Sequence, residues 1–396
     1  MILNEYREIG KIDAGNYGIV YKLKKDSNTY AGKFVDNNSI ELKELVILSQ
    51  MKHPNIIRLD DFMFIETGIY LIFPYQKQTL DDVNIKKMDK SDKDNIIKEL
   101  ISAVMYLHSY KIFHGDIKPE NILYNDKKIL LIDFGLSGHV DSQNLSMQTS
   151  WFRSPEMMWA CLKTGILNVS IKHINIFMQV VNNLSSDLWA LGCVIFYIIS
   201  SYHPFKENSD TKVVERIIKY LDDPNSKLTR YLGKTSEMIA DLLHPNPEKR
   251  NLSKLIKHYN ILTDFQEYQI YIDRDMILSD TYDDYLVKMD KWCNDFNLSK
   301  SVYVVSVDIF LRLTKSYNED IDYISIMCVY LSMRLFYSNC KYMTIGDVMG
   351  VSYLNIDEKT LIDELDGKLF PYDIYDKLVS LERPITITEY KKMIKK

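Results

Sequence analysis

HGDIKPENILYNDKKILLIDFG, residues His114 to Gly135 of a 396-residue chain, is the segment from which the architecture can be worked out. Asp116, Lys118 and Asn121 share one short loop. Asp133 follows two apolar runs, NILY and ILLI, joined by the polar turn Asn125-Asp126-Lys127-Lys128. The runs are too short and too rich in Ile and Leu for surface helices, so they predict a tight β-hairpin that returns Asp133 to the neighbourhood of Asp116. Two carboxylates and an amide meeting in one cleft supply hard oxygen ligands for Mg²⁺, with one Asp left to take a hydroxyl proton.

Upstream, alternating apolar positions from Tyr6 run into IDAGNYGIVYKL, where Gly15 and Gly18 fall in a turn between strand-like segments. Glycines there let backbone amides approach phosphate oxygens without a Cβ in the way. Ala31-Gly32-Lys33 follows, then a helical stretch holding Glu44, then IYLIFPYQ from Ile69 to Gln76. Taken singly, a lysine, a glutamate or a GxxG is a surface charge or an ordinary hairpin. In this order, ahead of HGD and DFG, they resemble the eukaryotic-type protein kinases. The stretch Asn38 to Glu44 with LVILSQMKHPNIIRL after it resembles the cyclin-contacting helix of cyclin-dependent kinases, with Leu45 and Leu48 expected to face the core.

That resemblance implies an α+β, bilobal protein-kinase fold over residues 1–265. A small antiparallel-sheet lobe with one main helix (about 1–77) precedes a larger helical lobe (about 78–265). It implies ATP and Mg²⁺ as cofactors and transfer of the γ-phosphoryl group to protein hydroxyls. Asp116 would orient the attacking hydroxyl, Lys118 would neutralise the moving phosphoryl, and Lys33 would bridge phosphates while paired with Glu44. Asn121 and Asp133 would hold the metal. Ile12, Ala14, Gly15, Asn16, Tyr17, Gly18, Val20, Ala31, Lys33 and Leu123 would line the nucleotide cleft, with Phe73 as gatekeeper and Tyr75 in the hinge. An HxDxKxxN loop resembles serine/threonine rather than tyrosine kinases. His114 and Phe134 are expected to pack rather than react. Glu156 should form a buried ion pair with Arg250 of HPNPEKR, and Asp187 should steady the catalytic loop.

Several residues depart from the family pattern. Asp13 stands where glycine is usual, Ser154 where alanine is, and Gly115 where an arginine precedes the catalytic Asp. Two further arginine positions of the cyclin-dependent pattern align with Lys43 and Gly138, and the usual phosphoacceptor falls near Asn144. One lysine in place of three cations would pair poorly with a phosphate, so activity independent of activation-segment phosphorylation is expected. Tyr17 matches an inhibitory phosphotyrosine position, or is an ordinary loop aromatic. Between Glu156 and Asp187 an insertion, about 162–183, is expected to form a surface excursion.

The kinase pattern ends near Leu262, and residues 266–396 are too apolar for a disordered tail. Tyr285, Met289, Trp292, Cys293 and Phe296 share a helical face, as do Ile321, Ile324, Cys328, Leu331 and Leu335. SVYVVSVDIFLRL is apolar around most of its circumference and predicts a central buried helix. DEKTLIDELDGKLF predicts another, with Leu361, Leu365 and Leu369 inward. An all-α bundle follows. The order of these segments resembles a cyclin box, though an unrelated helical bundle fits the same periodicity. A cyclin-like partner on the same chain is therefore one expectation. A catalytically silent kinase-like scaffold that recruits partners through this tail is the alternative to an enzyme.

Composition adds bounds. A net charge of −5 gives no support for nucleic acid or a polybasic membrane anchor. The five cysteines show no metal spacing and suit reduced thiols in an intracellular setting, cytoplasmic or nuclear, of the host cell if the chain is viral. The start, MILNEYREIGK, lacks a signal pattern. The apolar run from Leu188 to Ile199 reads as a buried helix too short to span a bilayer.

Overall fold

The structure is a computed structural model. It describes residues 2–3, 5–15, 18–36, 42–140, 149–163, 183–222, 235–265, 282–296, 298–314, 316, 321–336, 358–371, 375, 379 and 385–394. Asn16, Tyr17, Asn144 and all but the flanks of the insertion at 162–183 therefore lie outside the described residues.

The first lobe is a six-stranded antiparallel sheet in the order β1-β2-β3-β4-β6-β5. Its strands are β1 (Ile2–Leu3), β2 (Tyr6–Gly15), β3 (Gly18–Lys25), β4 (Asn28–Asp36), β5 (Asp61–Ile65) and β6 (Gly68–Pro74). Gly18 opens β3 at φ +130°, and a Cβ there would meet the Phe34 carbonyl oxygen at 2.4 Å. Only glycine admits so close a start to the strand. One helix, α1 (Leu42–Leu48), lies between β4 and β5, and every residue from Lys43 to Leu48 is buried.

The larger lobe is built around α2 (Lys90–Ser109), capped by the Asp89 carboxylate accepting from the Asp92 amide at 2.7 Å. After β7 (Ile112–Phe113) come β8 (Ile122–Asn125) and β9 (Lys128–Leu131), the expected hairpin, paired in register from Ile122↔Leu131 to Asn125↔Lys128. Asp126 and Lys127 both take positive φ, the handedness that matches the twist of a two-residue hairpin. The lobe continues through β10 (Gly138–His139), α3 (Pro155–Lys163), α4 (Asn183–Ser200), α5 (Asp210–Asp222), α6 (Thr235–Leu242) and α7 (Ser253–Tyr259). At 18 residues α4 is longer than the run expected from sequence, and by length and composition it could cross a bilayer. It is 72% buried within the fold, which makes it a core helix. Just beyond α7, Phe265 packs edge-on against His53 and Tyr106, so the chain leaves the large lobe beside the loop that follows α1.

The C-terminal region is helical among its described residues: α8 (Asp283–Asp295), α9 (Lys300–Leu313), α10 (Ile321–Phe336), α11 (Glu358–Glu364) and α12 (Ile387–Ile394). α9 is the central helix, buried almost all round. Two expectations need correction. On α8, Met289 and Cys293 are buried and Tyr285 and Trp292 pack against the same core as expected, joined by Leu286, while Phe296 is exposed because the helix ends before it. The helix predicted to continue to Phe370 stops at Glu364, where Asp366 and Gly367 turn into the left-handed region and the Gly367 amide returns to the Ile362 carbonyl. Leu361, Leu365 and Leu369 are nevertheless all buried. Inside this bundle Asp308 pairs with Arg312 at 2.8 Å and accepts the Tyr390 hydroxyl at 2.5 Å, which ties α12 to α9.

The tail does not form a core by itself. Its apolar cluster is continuous with Val35, Leu45, Val46, Ile69 and Leu71 of the first lobe, whereas Ile47 and Leu48 belong to the core of the large lobe. Leu45, expected to face the core, is thus buried where the first lobe and the tail share one. At Gly367, a Cβ would touch Leu45 Cδ1 at 3.1 Å and Ser49 Cβ at 3.3 Å, so the turn after α11 lies directly on α1.

Glu156 in the first turn of α3 meets Arg250 in a fork, at 2.6 and 2.8 Å, with both side chains buried. Ser186 donates to the same carboxylate at 3.1 Å and shares a hydrogen bond with Ser154, the residue that replaces alanine. Removing the carboxylate strands a buried guanidinium. Glu156→Ala should therefore cost about 3–5 kcal/mol of stability, read as a lowered denaturant midpoint; a change under about 0.5 kcal/mol would count against the pair as an anchor.

Candidate active site

Four elements deliver the polar residues. Lys33 is near the middle of β4, in register with Val20 on β3 and Leu71 on β6. Glu44 comes from α1, Asp116 to Asn121 from the loop after β7, and Asp133 from the end of the β8–β9 hairpin. Lys33 Nζ donates to both Glu44 oxygens, at 2.9 and 2.7 Å, and to Asp133 Oδ1 at 2.8 Å. Burial works against the charge on Lys33, but Glu44 and Asp133 outweigh it and hold its pKa above the ordinary lysine value. Burial also lifts the Glu44 carboxyl, against the pull of Lys33. Two hydrogen bonds from one ammonium to one carboxylate keep the pair ionised. Asp133 is pushed up by burial and pulled down further by Lys33, leaving its carboxyl below the usual range.

In the second group every oxygen of Asp116 has a partner. Lys118 Nζ lies 2.6 Å from Oδ2, and Asn121 donates to Oδ2 at 3.0 Å and to the Asp116 carbonyl at 2.9 Å. Thr149 donates to Oδ1 through its amide at 3.1 Å and its hydroxyl at 3.2 Å, and Lys118 donates to the same hydroxyl at 2.9 Å. Thr149 opens the stretch TSWFRSPE, which resembles the cyclin-dependent kinase ending, but the sequence alone gives it no role at Asp116. It stands 33 residues from Asp116, and no periodicity or local spacing marks it.

The loop itself is held from below. Asp187 on α4 accepts the amides of His114 at 2.7 Å and Gly115 at 2.9 Å, and lies 3.1 Å from His108 Nε2. Gly115 sits at φ +82°, where a side chain would be strained. His114 and Phe134 are fully buried and meet edge to face at 4.9 Å, in packing positions. Burial lowers the His114 pKa. Its neutral ring is satisfied at both nitrogens: Nδ1 accepts the Asp116 amide at 3.2 Å, and Nε2–H donates to the Ile132 carbonyl at 3.0 Å.

Of the residues expected around a nucleotide, Val20, Ala31, Phe73, Tyr75 and Leu123 are half-buried, and Ala31 stands in register with Phe73. Ile12 and Ala14 are exposed, and Gly15 closes the β2–β3 ladder opposite Gly18. The Asp13 carboxylate accepts from the neighbouring Ala14 amide at 2.8 Å. Asn121 commits its amide nitrogen to Asp116, which leaves its carbonyl oxygen available, and Asp133 has a second carboxylate oxygen. Among the described residues no group of three or more His, Cys, Asp or Glu could hold a metal ion. The Asn121 carbonyl and the Asp133 carboxylate are hard oxygens, a donor pair that suits a divalent cation completing its shell with phosphate and water.

Residues 6–261 match the protein kinase domain family. Over 244 residues the chain is 31% identical to a protein described as "Probable cyclin-dependent kinase 10" from Dictyostelium discoideum, covering 56% of this chain and 62% of that relative. The match thus spans less than two thirds of the relative's length, and α8 to α12 lie beyond the family match. A two-lobed fold with an antiparallel first lobe, the Lys33–Glu44 pair, and a catalytic-type loop held by Asp187 agree with the family match: the chain belongs to the protein kinase domain family.

Proposed function

We propose that this chain is an ATP- and Mg²⁺-dependent serine/threonine protein kinase whose C-terminal domain, residues 266–396, is a cyclin-like activator acting within the same chain. The observation that carries the reading is Lys33 bonded at once to Asp133 and to Glu44, the latter on a helix whose other face is covered by the tail. The nucleotide supplies the transferable phosphoryl group, and the metal supplies charge that offsets its oxygens. Lys33, held charged, aims an ammonium at phosphate. Asn121 and Asp133 present oxygens to the cation. Asp116 orients the acceptor hydroxyl and takes its proton, and Lys118 places positive charge beside the transfer path.

A helix in a fold of this kind draws most of its stability from the faces it packs, and every residue of α1 from Lys43 to Leu48 is buried. A tail on the same chain is present at roughly millimolar effective concentration, enough for modest contacts to keep α1 turned inward. The surroundings of Lys43 and Gly138, where the family pattern has arginines, include Leu335, Phe336 and Phe370 of the tail. Such apolar neighbours support activity without activation-segment phosphate.

Transfer of labelled γ-phosphate to a generic basic protein tests the enzyme against the silent scaffold. Asp116→Asn should lower turnover about a hundredfold or more, and Lys33→Met should do likewise. Wild-type incorporation no higher than that of Asp116→Asn would refute the enzyme. For the tail, Gly367→Val would force a branched side chain into a positive φ and against Leu45. Turnover should fall several-fold while the large lobe keeps its melting transition; unchanged turnover would remove the tail from the account. Phosphatase treatment of the purified active protein should leave turnover intact.

A further inference from the structure

The tail reaches a second place besides α1. After the Gly367 turn the chain brings Phe370 and Tyr375 to His139, which is buried. The His139 ring stacks obliquely on Phe370 at 5.0 Å and meets Tyr375 edge-on at 4.8 Å. Both rings are fixed within the tail: Phe370 packs on Tyr375 at 4.6 Å, and the Tyr375 hydroxyl donates to Ser301 at the start of α9 at 2.7 Å.

His139 in turn belongs to β10, which pairs with β7 as Gly138↔Phe113 and His139↔Ile112. The pairing extends on both sides. The Val140 amide donates to the Lys111 carbonyl at 2.9 Å, and the Ser137 hydroxyl donates to the His114 carbonyl at 2.7 Å. The next residues after His114 are Gly115 and Asp116. A short, continuous path therefore runs from two tail aromatics through one side chain and a two-residue ladder to the loop that carries Asp116.

We infer that His139, which lines one small cavity with Lys43, Val46 and Ile47 of α1 and with Phe370, is a positioning residue through which the tail sets the catalytic loop in addition to its hold on α1. This rests on the kinase reading above and adds a second point of control to it. Each well-formed aromatic contact contributes modestly, so the loss of both rings' partner should be visible in turnover rather than in folding.

The test uses the full-length chain and steady-state transfer with varied ATP. His139→Ala should lower kcat roughly tenfold while KM for ATP stays within about twofold, because the Lys33–Glu44 pair is untouched. His139→Phe, which restores a ring, should recover most of the loss. Phe370→Leu should lower kcat similarly, and adding His139→Ala to it should cost little more. If His139→Ala melts early, Phe370→Leu with its rescue of volume carries the same expectation. The inference is overturned if His139→Ala stays within twofold of wild type, if phenylalanine is no better than alanine, or if the two losses multiply. Wild-type chain without Asp116-dependent transfer overturns the kinase reading and this inference together. Wild-type transfer with an indifferent His139→Ala overturns only the latter.

Discussion

A buried ammonium held between two carboxylates is the constraint to which the rest of the structure answers. Lys33 is rigid, in the middle of a sheet, and Asp133 is rigid, at the end of a hairpin. Glu44 comes from α1, whose residues Lys43 to Leu48 are all buried. Uncompensated, any one of these charges would be costly in a site this dry. Two cores hold α1 in place: Ile47 and Leu48 enter that of the large lobe, while Leu45 and Val46 enter the one that the first lobe shares with the tail.

The residues that could be placed from sequence were those whose spacing is local. The hairpin was legible because two short Ile/Leu runs flank a four-residue polar turn. Lys33, Glu44, Asp116 and Asp133 were legible through their order along the chain. Thr149 was not, since it reaches Asp116 by the path of the chain and not by any repeat. The burial of Leu45 was legible, but the part of the tail that covers it was not. Periodicity shows that a helical face is apolar, but not which of two cores it enters. The end of α11 was hidden by apolar residues continuing past Gly367, although the glycine itself is an ordinary stop signal.

The departures from the family pattern find local explanations. Asp13 spends a carboxylate oxygen on the next residue's amide. Gly115 sits in a left-handed conformation that glycine adopts without strain, with its amide on Asp187. Ser154 gains a hydrogen bond to Ser186, which in turn supports the Glu156–Arg250 fork. None of the three disturbs the groups around Asp116. The buried Asp308–Arg312–Tyr390 set has a comparable logic in the tail, where a charge pair within an apolar bundle fixes one helix arrangement against the alternatives.

The turn at Gly367 rests on Leu45, a residue made some three hundred positions earlier. A ribosome releases the first lobe long before it reaches that turn, and contacts between segments so far apart form late. During synthesis α1 lies against one core only, with its second face uncovered. Vectorial translation thus imposes an order of assembly: the large lobe can close first, and the helix bearing Glu44 is seated last. On the reading offered above, a half-made chain would be folded enough to survive yet unable to act, so synthesis itself would serve as the safety catch.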